Sequence, residues 1–238
     1  MVKSKFDIVQ WGPDRLRIGP WRGDPEIAYI APVAGRPATV GTVEHCLRLV
    51  AEKGYDRVLT AALTVAEQRP FLETGFAPQE WLYLLRHDLT ALPAAPPHRL
   101  RRALPFDHPR VLDIDARAFD TFWRFDREGL ADARRATPAS RFRVVDEGGV
   151  LGYAITGRAG VQGYLQRLAV DPDHHHRGLG SALVLDALWW AKRRGVTSML
   201  VNTQETNTAA LGLYERLGFV AEPNGLAVLE RTITDGDQ

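Results

Sequence analysis

Apolar residues recur along the second half of the chain at two spacings, which predict alternating strands and helices. Between residues 111 and 134 the apolar positions have the spacing of one amphipathic helix. Asp146-Glu147-Gly148-Gly149 is a hairpin turn signal. Strands and helices that alternate after a hairpin favour a mixed α/β sheet. The further predicted strands are 142–145, 150–156, 163–170, 198–203 and 228–233, and the further predicted helices are 179–194 and 208–217.

The first half repeats these features faintly, which indicates a divergent duplication. Chance similarity between two segments with the same alternation of strands and helices is the alternative interpretation. Three pairs of segments correspond at a nearly constant offset: 41–54 with 180–195, 58–63 with 199–203, and 71–76 with 214–219.

A proline-rich stretch separates the two halves. Its three prolines exclude a helix and favour an extended backbone. We therefore predict a small first domain at residues 1–90, a linker at 91–97 and a larger second domain at 98–238.

Composition and charge narrow the class of protein. The chain has 238 residues, of which 45% are hydrophobic and 25% charged, and its net charge is +1. This balance provides no global field for nucleic acid or an anionic membrane, so neither partner is expected. The single cysteine, Cys46, cannot form an internal disulfide. With no apolar stretch near the roughly 18 residues of a spanning helix, a cytoplasmic location is expected.

A strand, a glycine-containing loop and a helix start follow one another over residues 168–181. The backbone N–H groups of such a loop and the positive end of the helix suit a phosphate or pyrophosphate. Gly178 and Gly180 allow a close approach of the backbone, and Arg177 can add a charge-assisted contact. The Gly-Lys-Ser/Thr ending of a nucleoside-triphosphate loop and the third glycine of a dinucleotide fingerprint are both absent.

Three consecutive histidines, His174 to His176, lie in the same loop. Adjacent loop side chains cannot easily converge on one ion, because zinc sites use separated ligands. We therefore predict no metal site and interpret the loop as facing an anion.

Two motifs in this half resemble those of a known family. The spacing His175-x-x-Gly178-x-Gly180 resembles motif A of the GNAT superfamily of N-acetyltransferases, in which Gln or Arg replaces the histidine. The run Asn207-x-x-Ala210-x-x-x-Tyr214-Glu215-x-Leu217-Gly218-Phe219 is similar to motif B. The resemblance covers roughly residues 98–235. It implies the α/β (α+β) class, with a mixed, mostly antiparallel sheet flanked by helices and a smaller, degenerate GNAT-like N-terminal half.

The resemblance also implies a reaction and its residues. Acetyl-CoA would be the cosubstrate, and a primary amine would attack its thioester directly in a ternary complex. Tyr214 would protonate the leaving thiolate, and Asn207 would contact the pantetheine. The residues implied to bind the cofactor are Leu168, Ala169, Val170, His175, His176, Arg177, Gly178, Leu179, Gly180, Ser181, Asn207 and Tyr214.

The general base is the least defined part of the implied site. Some family members use a Glu on one of two diverging strands, but Tyr164, Gln166 and Asn202 stand at the corresponding positions. Glu205, just past the second strand, is preferred among the carboxylates, which also include Asp113 and Asp115 on the first helix. A water relay held by Asn202 or Gln166 is an equal alternative. Trp123, Gln166 and Asn202 are expected to face the acceptor.

The first half lacks the corresponding chemistry. Its motif A position, residues 36–41, has Thr39 for the first glycine and Pro37, which removes an N–H donor. Phe71 stands where the second half has Tyr214. These changes predict an inactive, structural half. A tandem plan with one active half is similar to that of mycothiol synthase, but this first half is much shorter, so that substrate is not carried over.

The acceptor is therefore left open between a protein N-terminus and a small-molecule amine. A non-catalytic acyl-CoA-binding sensor or interaction module is the alternative function. A homodimer is also allowed, because family members often dimerise.

Overall fold

The computed structural model describes residues 6–33, 37–94 and 97–234. Within these ranges it contains the following elements. The strands are β1 (Asp7–Trp11), β2 (Asp14–Pro20), β3 (Ile27–Pro32), β4 (Arg57–Thr60), β5 (Ala77–His87), β6 (Leu100–Arg102), β7 (Ala139–Asp146), β8 (Val150–Ala159), β9 (Gln162–Val170), β10 (Ser198–Gln204), β11 (Val220–Ala221) and β12 (Leu226–Thr232). The helices are α1 (Val40–Glu52), α2 (Val65–Glu73), α3 (His108–Ala118), α4 (Arg127–Arg135), α5 (Leu179–Lys192) and α6 (Thr208–Arg216).

The described residues cluster into two compact units that do not follow the order of the chain. The first unit takes its residues from Met1–Tyr83, Gln204–Thr206 and Pro223–Gln238, and the second comprises Leu84–Thr203 and Asn207–Glu222. The last strand belongs to the first unit because β12 pairs antiparallel with β4. The domain limits predicted above treat each domain as one continuous stretch of chain, whereas these units do not. Those limits remain a proposal.

The first unit has a hairpin ladder followed by one crossover. Strands β1, β2 and β3 pair antiparallel in sequence, and β3 pairs parallel with β4 across helix α1. Side chains from the strands and from both helices form one core. Cys46 lies in this core, and burial raises the pKa of its thiol to about 12. It is therefore a small hydrophobic side chain and not a reactive thiol.

The second unit repeats this order with more layers. Strands β6 to β9 pair antiparallel in sequence, and β9 pairs parallel with β10 across α5. One core joins the sheet to α5 and α6, and another joins it to α3 and α4. The predicted mixed, mostly antiparallel sheet flanked by helices is thus confirmed. None of the helices among the described residues is long and apolar enough to cross a bilayer.

The prediction of a single helix over residues 111–134 is wrong. Helix α3 ends at Ala118, and Phe119 is extended, with φ −124° and ψ 151°. The Oδ1 atom of the buried Asp115 accepts a hydrogen bond of 2.6 Å from the Phe125 amide, which folds the chain back across α3. Helix α4 then begins after Asp126, whose side chain caps it by accepting from Gly129 N at 2.7 Å. Apolar spacing carries no information about such polar contacts.

Candidate functional site

Strands β9 and β10 pair at their beginning and then diverge. Their parallel register runs only from Gln162 opposite Ser198 to Tyr164 opposite Leu200. At this point β9 contains a bulge, because Leu165 and Arg167 pair with successive residues of β8 and Gln166 is the extra one. A bulge bends its strand and interrupts the ladder. The last residues of β9, Leu168 to Val170, therefore keep β8 as a neighbour and present an open backbone edge on the other side.

The loop after β9 leads into an α5 N-terminus that no side chain caps. Gly178 is the N-cap and has a left-handed backbone, with φ 79° and ψ 0°, which a residue with a side chain rarely adopts. The first amides of a helix have no partner within the helix. The amides at the start of α5 are therefore available to an anion, and the helix dipole favours one there.

Helix α6 directs its N-terminus to the same place. The Asn207 side chain caps it by accepting a hydrogen bond from Ala210 N at 3.1 Å. The two helices approach closely at Gly180, where a Cβ atom would lie 3.2 Å from a methyl group of Leu213. A side chain at position 180 would therefore require Leu213 to move by a few tenths of an ångström, whatever Gly180 also does for a ligand.

These elements enclose a cavity of about 650 Å³ within the second unit. Among the described residues that line it there is no aspartate or glutamate. The predicted cofactor residues that line it are Leu168, Ala169, Val170, His175, His176, Gly178, Leu179, Gly180, Ser181 and Asn207. The remaining lining residues, which the sequence did not single out as ligand contacts, are Ala118, Phe119, His174, Thr208, Ala209, Ala210, Leu213 and Arg216.

Arg216 is the functional candidate that sequence reasoning missed. Its Nη1 atom reaches back along α6, to 3.1 Å from the position of a Cβ atom on Gly212. The signal was present in the spacing, because Ala209, Leu213 and Arg216 lie on one face of α6. An arginine on the face that borders an anion site adds a mobile positive charge to the cavity.

Arg177 and Tyr214 lie outside the residues that line the cavity. Arg177 is half exposed and its Nη2 atom lies 3.4 Å from Glu147 Oε2. Tyr214 is 5% exposed, and its ring packs against Phe219 with centroids 5.4 Å apart. Burial raises the pKa of the Tyr214 phenol, and the positive charge of Arg167 offsets part of this increase. This side chain therefore stays protonated over the ordinary pH range.

A buried charged network lies beside the site, on the α3 side of the sheet. Arg167 on β9 donates two hydrogen bonds to Asp115, at 2.8 and 2.9 Å, and Tyr153 donates to the same carboxylate. Arg167 also donates to the Trp123 carbonyl at 2.7 Å and lies 3.4 Å from the Phe119 ring centroid. The network thus ties the segment between α3 and α4 to the strand that borders the cavity.

The candidates for general base are dispersed. Glu205 and Asn202 are exposed and do not line the cavity. Gln166 lies on the α4 side, where its amide nitrogen and the Thr137 hydroxyl occupy the space that a Cβ atom on Gly157 would need. Its Oε1 atom is buried without a hydrogen-bond partner among the described residues. Asp115 is occupied by the network above, and Asp113 is exposed and paired with Arg110.

The three histidines do not converge. His175 Nε2 lies 3.1 Å from the Val170 carbonyl, and His174 Nδ1 lies 4.0 Å from Asp171 Oδ2. His176 has a left-handed backbone with φ 60°. A search of the described residues finds no group of three or more His, Cys, Asp or Glu side chains that could hold a metal ion.

Comparison with known proteins gives consistent findings. A family model described as the acetyltransferase (GNAT) family matches residues 107–219. A ribosomal protein bS18-alanine N-acetyltransferase from Escherichia coli strain K12 is 31% identical over 113 residues, which cover 48% of this chain and 74% of that protein. A mycothiol acetyltransferase from Salinispora arenicola is 36% identical over 166 residues, 62% of this chain and 54% of that protein.

A solved structure extends the likeness to both halves. A tandem GNAT protein from the clavulanic acid biosynthesis pathway matches with a TM-score of 0.69 and 16% sequence identity. The match covers 95% of this chain and 82% of that one. At this identity the likeness concerns the fold alone, and it includes the first half of the chain.

Proposed function

The chain belongs to the acetyltransferase (GNAT) family and is an acetyl-CoA-dependent acyltransferase, as motifs A and B predicted, and from this premise we propose which residues carry the reaction. We propose that the cavity at the start of α5 holds acetyl-CoA while a primary amine attacks the thioester directly in a ternary complex. One observation carries this proposal: an uncapped helix N-terminus and an open strand edge border one cavity of about 650 Å³.

The donor is proposed to bind in two parts. The diphosphate lies against the amides of residues 178–181, where Arg216 adds positive charge, the three histidine rings border the cavity, and none of the described lining residues is a carboxylate. The pantetheine arm and the acetyl carbonyl lie along the backbone of Leu168 to Val170, whose open edge supplies N–H and C=O groups. A backbone N–H group that points at the acetyl oxygen stabilises the negative charge that develops during the attack.

Tyr214 is proposed as the general acid. The neutral amine nitrogen forms a bond to the acetyl carbon, the bond from that carbon to sulfur breaks, and the departing thiolate takes a proton from the phenol. Burial raises the pKa of Tyr214, which keeps the proton on the oxygen before the attack but also makes the phenol a weaker acid; the proposed role therefore rests on the position of Tyr214 in motif B. The role requires the phenol to meet the sulfur at the inner end of the cavity.

The attacking amine must also lose a proton, and we propose that water accepts it. Gln166 supports this proposal, because a buried oxygen without a partner favours a bound water. Glu205 remains the second candidate. Glu205 is exposed and is not among the residues that line the cavity, which favours the water relay. A Glu205→Gln variant is expected to retain its turnover, whereas Gln166→Leu should lower it.

The acceptor is proposed to enter from the side of the segment between α3 and α4, where Trp123 lies. One relative is named as an acetyltransferase of an alanine in a ribosomal protein, and the other is named as a mycothiol acetyltransferase. The acceptor panel should therefore contain both peptide amines and small-molecule amines. Peptides with an N-terminal alanine and amino sugars or amino acid conjugates cover these two classes.

The experiment measures thiol release from acetyl-CoA across this panel for the wild type and for Tyr214→Phe. We expect kcat of the variant to fall by about 10²-fold to 10⁴-fold, with little change in the KM for acetyl-CoA, because only the proton donor is removed. The control is Tyr83→Phe, which removes an exposed phenol. Equal turnover by Tyr214→Phe and the wild type would contradict the role of Tyr214. Tight CoA binding with no turnover of any amine would favour the acyl-CoA sensor instead.

A further inference from the structure

A second cavity, of about 660 Å³, lies in the same unit at the other end of α5. It is bordered by the end of β6, by β7 and β8, and by residues near the ends of α4 and α5. Helix α5 has 14 residues and is therefore about 20 Å long. No residue lines both cavities, so this one is separate from the proposed acetyl-CoA site.

The wall of this second cavity is strongly positive. Six arginines line it: Arg102, Arg134, Arg141, Arg143, Arg158 and Arg194. No aspartate or glutamate is among its described lining residues. Asp186 on α5 pairs with two of them: it accepts from Arg141 at 3.0 Å and lies 3.4 Å from Arg143 Nε. Among the described residues, Asp186 is the only carboxylate that forms an ion pair with any of these six arginines.

Apart from the Asp186 pairs, the described contacts of these arginines are with groups that carry no negative charge. Arg143 donates to the Leu100 carbonyl at 2.9 Å, and Arg158 donates to the Arg194 carbonyl at 3.3 Å. Arg134 lies 5.3 Å from the centroid of Phe142, and Arg194 lies 5.4 Å from that of Trp190. Within the described chain, Arg102, Arg134, Arg158 and Arg194 form no ion pair with a carboxylate.

Two of these side chains also have unused donors. The Nε atoms of Arg143 and Arg158 are buried and have no hydrogen-bond partner among the described residues. For Arg143 the nearby Asp186 oxygen is poorly aligned. Leaving a buried N–H group without an acceptor costs free energy, most of all when the group is charged, so such a group is normally satisfied by a water, an ion or a ligand. Burial, with the charges of Arg143 and Arg193, lowers the pKa of Arg141 despite Asp186, as expected where cations outnumber anions.

We propose that this arginine cavity binds a small organic molecule that carries two or more phosphate groups. The planar fork of each guanidinium group matches phosphate oxygens bidentately, and several forks around one cavity require several charges on the ligand. The volume lies within the range of small-molecule sites. Ala103, Phe142 and Trp190 add apolar wall for an organic part. A nucleoside di- or triphosphate combines these properties.

The test uses ATP as the probe, without divalent cations and at constant ionic strength, with binding measured by calorimetry on the full chain. The main variant is Arg102→Gln/Arg134→Gln, since both side chains lack an ion pair within the described chain and their loss leaves no carboxylate unpaired. The matched control is Arg99→Gln/Arg127→Gln, which removes the same charge from exposed positions of the same unit. We expect one ATP per chain, a dissociation constant about 100-fold higher in the cavity variant, and a change below about threefold in the control.

A second variant, Arg143→Gln/Arg158→Gln, removes the two unused donors and should weaken ATP binding to a similar extent. Its affinity for CoA, which binds at the other end of α5, reports whether the unit is folded. The proposal is overturned if the wild type does not bind millimolar ATP, or if the control weakens binding as much as the cavity variants. It is also overturned if Ser181→Asp abolishes ATP binding while Arg102→Gln/Arg134→Gln does not, or if a single-stranded oligonucleotide displaces ATP at an equal phosphate concentration.

Discussion

The two halves of the chain start a helix after a strand in the same way, but they satisfy that helix N-terminus differently. In the first half, the buried Asp14 on β2 accepts from the Thr39 amide at 2.8 Å and from the Thr42 hydroxyl at 2.8 Å. Thr39 also caps α1 with its own side chain. In the second half, α5 begins at Gly178 with no side-chain cap. One helix thus has an internal anion, and the other is open to an external one.

The parallel strand pair is also closed in the first half and open in the second. β3 and β4 pair from Ile27 opposite Arg57 to Ile30 opposite Thr60, and the Ala61 amide still donates to the Ile30 carbonyl at 3.0 Å. This pair remains closed to the end of β4, whereas β9 and β10 part after three residues. We therefore propose that the first half is structural because a carboxylate fills the anion position and the strand edge is closed.

The largest expected effect concerns the internal anion of the first half. We expect Asp14→Ala to lower the free energy of unfolding by about 3 kcal/mol, because two donors in a buried place lose their acceptor. Affinity for CoA should not change, since α5 keeps its own geometry. Urea unfolding and CoA calorimetry measure both quantities.

Two controls bracket this prediction. Asp14→Asn keeps an acceptor oxygen and should cost less, and Asp56→Ala removes an exposed carboxylate of the same half and should cost little. If Asp14→Ala were no more destabilising than Asp56→Ala, the carboxylate would not be what closes the first half.

The next effect follows from giving the second half an anion of its own. Ser181 lines the cavity in the first turn of α5. In Ser181→Asp a carboxylate would take the place of the ligand diphosphate, and we expect the dissociation constant of CoA to rise about 100-fold, or about 2.7 kcal/mol. Helix stability should be maintained or improved, because a negative charge is favourable at this end. Ser181→Asn has a similar size without the charge and should bind CoA much as the wild type does; equal affinities of the two variants would contradict the anion site.

A smaller effect distinguishes the aromatic residues on the two equivalent helices. Phe71 on α2 is fully buried and packs edge-on against Phe76 with centroids 5.2 Å apart, whereas the Tyr214 ring is tilted by 56° against Phe219. Phe71→Tyr would bury a hydroxyl group among apolar side chains, and we expect it to cost about 2 kcal/mol of unfolding free energy. Tyr214→Phe should change stability by less than about 1 kcal/mol while lowering kcat.

One double variant tests whether the tyrosine can act from the first half instead of the second. The double variant Tyr214→Phe/Phe71→Tyr should be as inactive as Tyr214→Phe alone, because the strand edge of the first half is closed. Recovered turnover in the double variant would show that the first half retains a working site.

Features that depend on local sequence were predicted more accurately than features that depend on distant contacts. The strand, loop and helix around Gly178 and Gly180 could be predicted, because the glycines that open a helix after a loop are a signal local to the sequence. The break in the helix over 111–134 could not, because it depends on Asp115 meeting Phe125 and Arg167. The strands β1, β2 and β5 were not predicted. Exposed apolar side chains such as Ile8 and Trp81 obscure the alternation in β1 and β5, whereas the alternation in β2 was present and was missed.

Contacts between distant positions set the remaining limits. Asp14 meets Thr39 and Thr42 only after the first hairpin has formed, and the arginine cavity brings Arg102 near Arg158 and Arg194. The start of the motif A copy in the first half, Arg36, lies outside the described residues, as does Pro96 of the predicted linker. Which residues contact CoA, and whether the chain forms a dimer, stay predictions.

The smallest expected effect is a change of stability with pH at Asp171, the carboxylate that follows β9. Its side chain is 1% exposed and lies toward α3, where Arg117 donates at 2.7 Å and Arg110 also donates. Burial by itself would raise the pKa of Asp171, but the Asp173 amide and these two guanidinium groups lower it below its usual value. A carboxyl group with a lowered pKa contributes stability that is fully present above the unfolded pKa of about 3.9 and is lost as the pH falls through the folded value.

Comparing Asp171→Asn with the wild type between pH 6 and pH 2.5 isolates this contribution. The difference in unfolding free energy should be constant above about pH 5 and should shrink as the solution becomes more acidic. A difference that stays the same down to pH 2.5 would mean that the charge of Asp171 contributes nothing to folding. Because Asp171 lies toward the arginines of α3 and not toward the amides of α5, the variant should leave the α5 N-terminus open, in contrast to the way Asp14 closes that of α1.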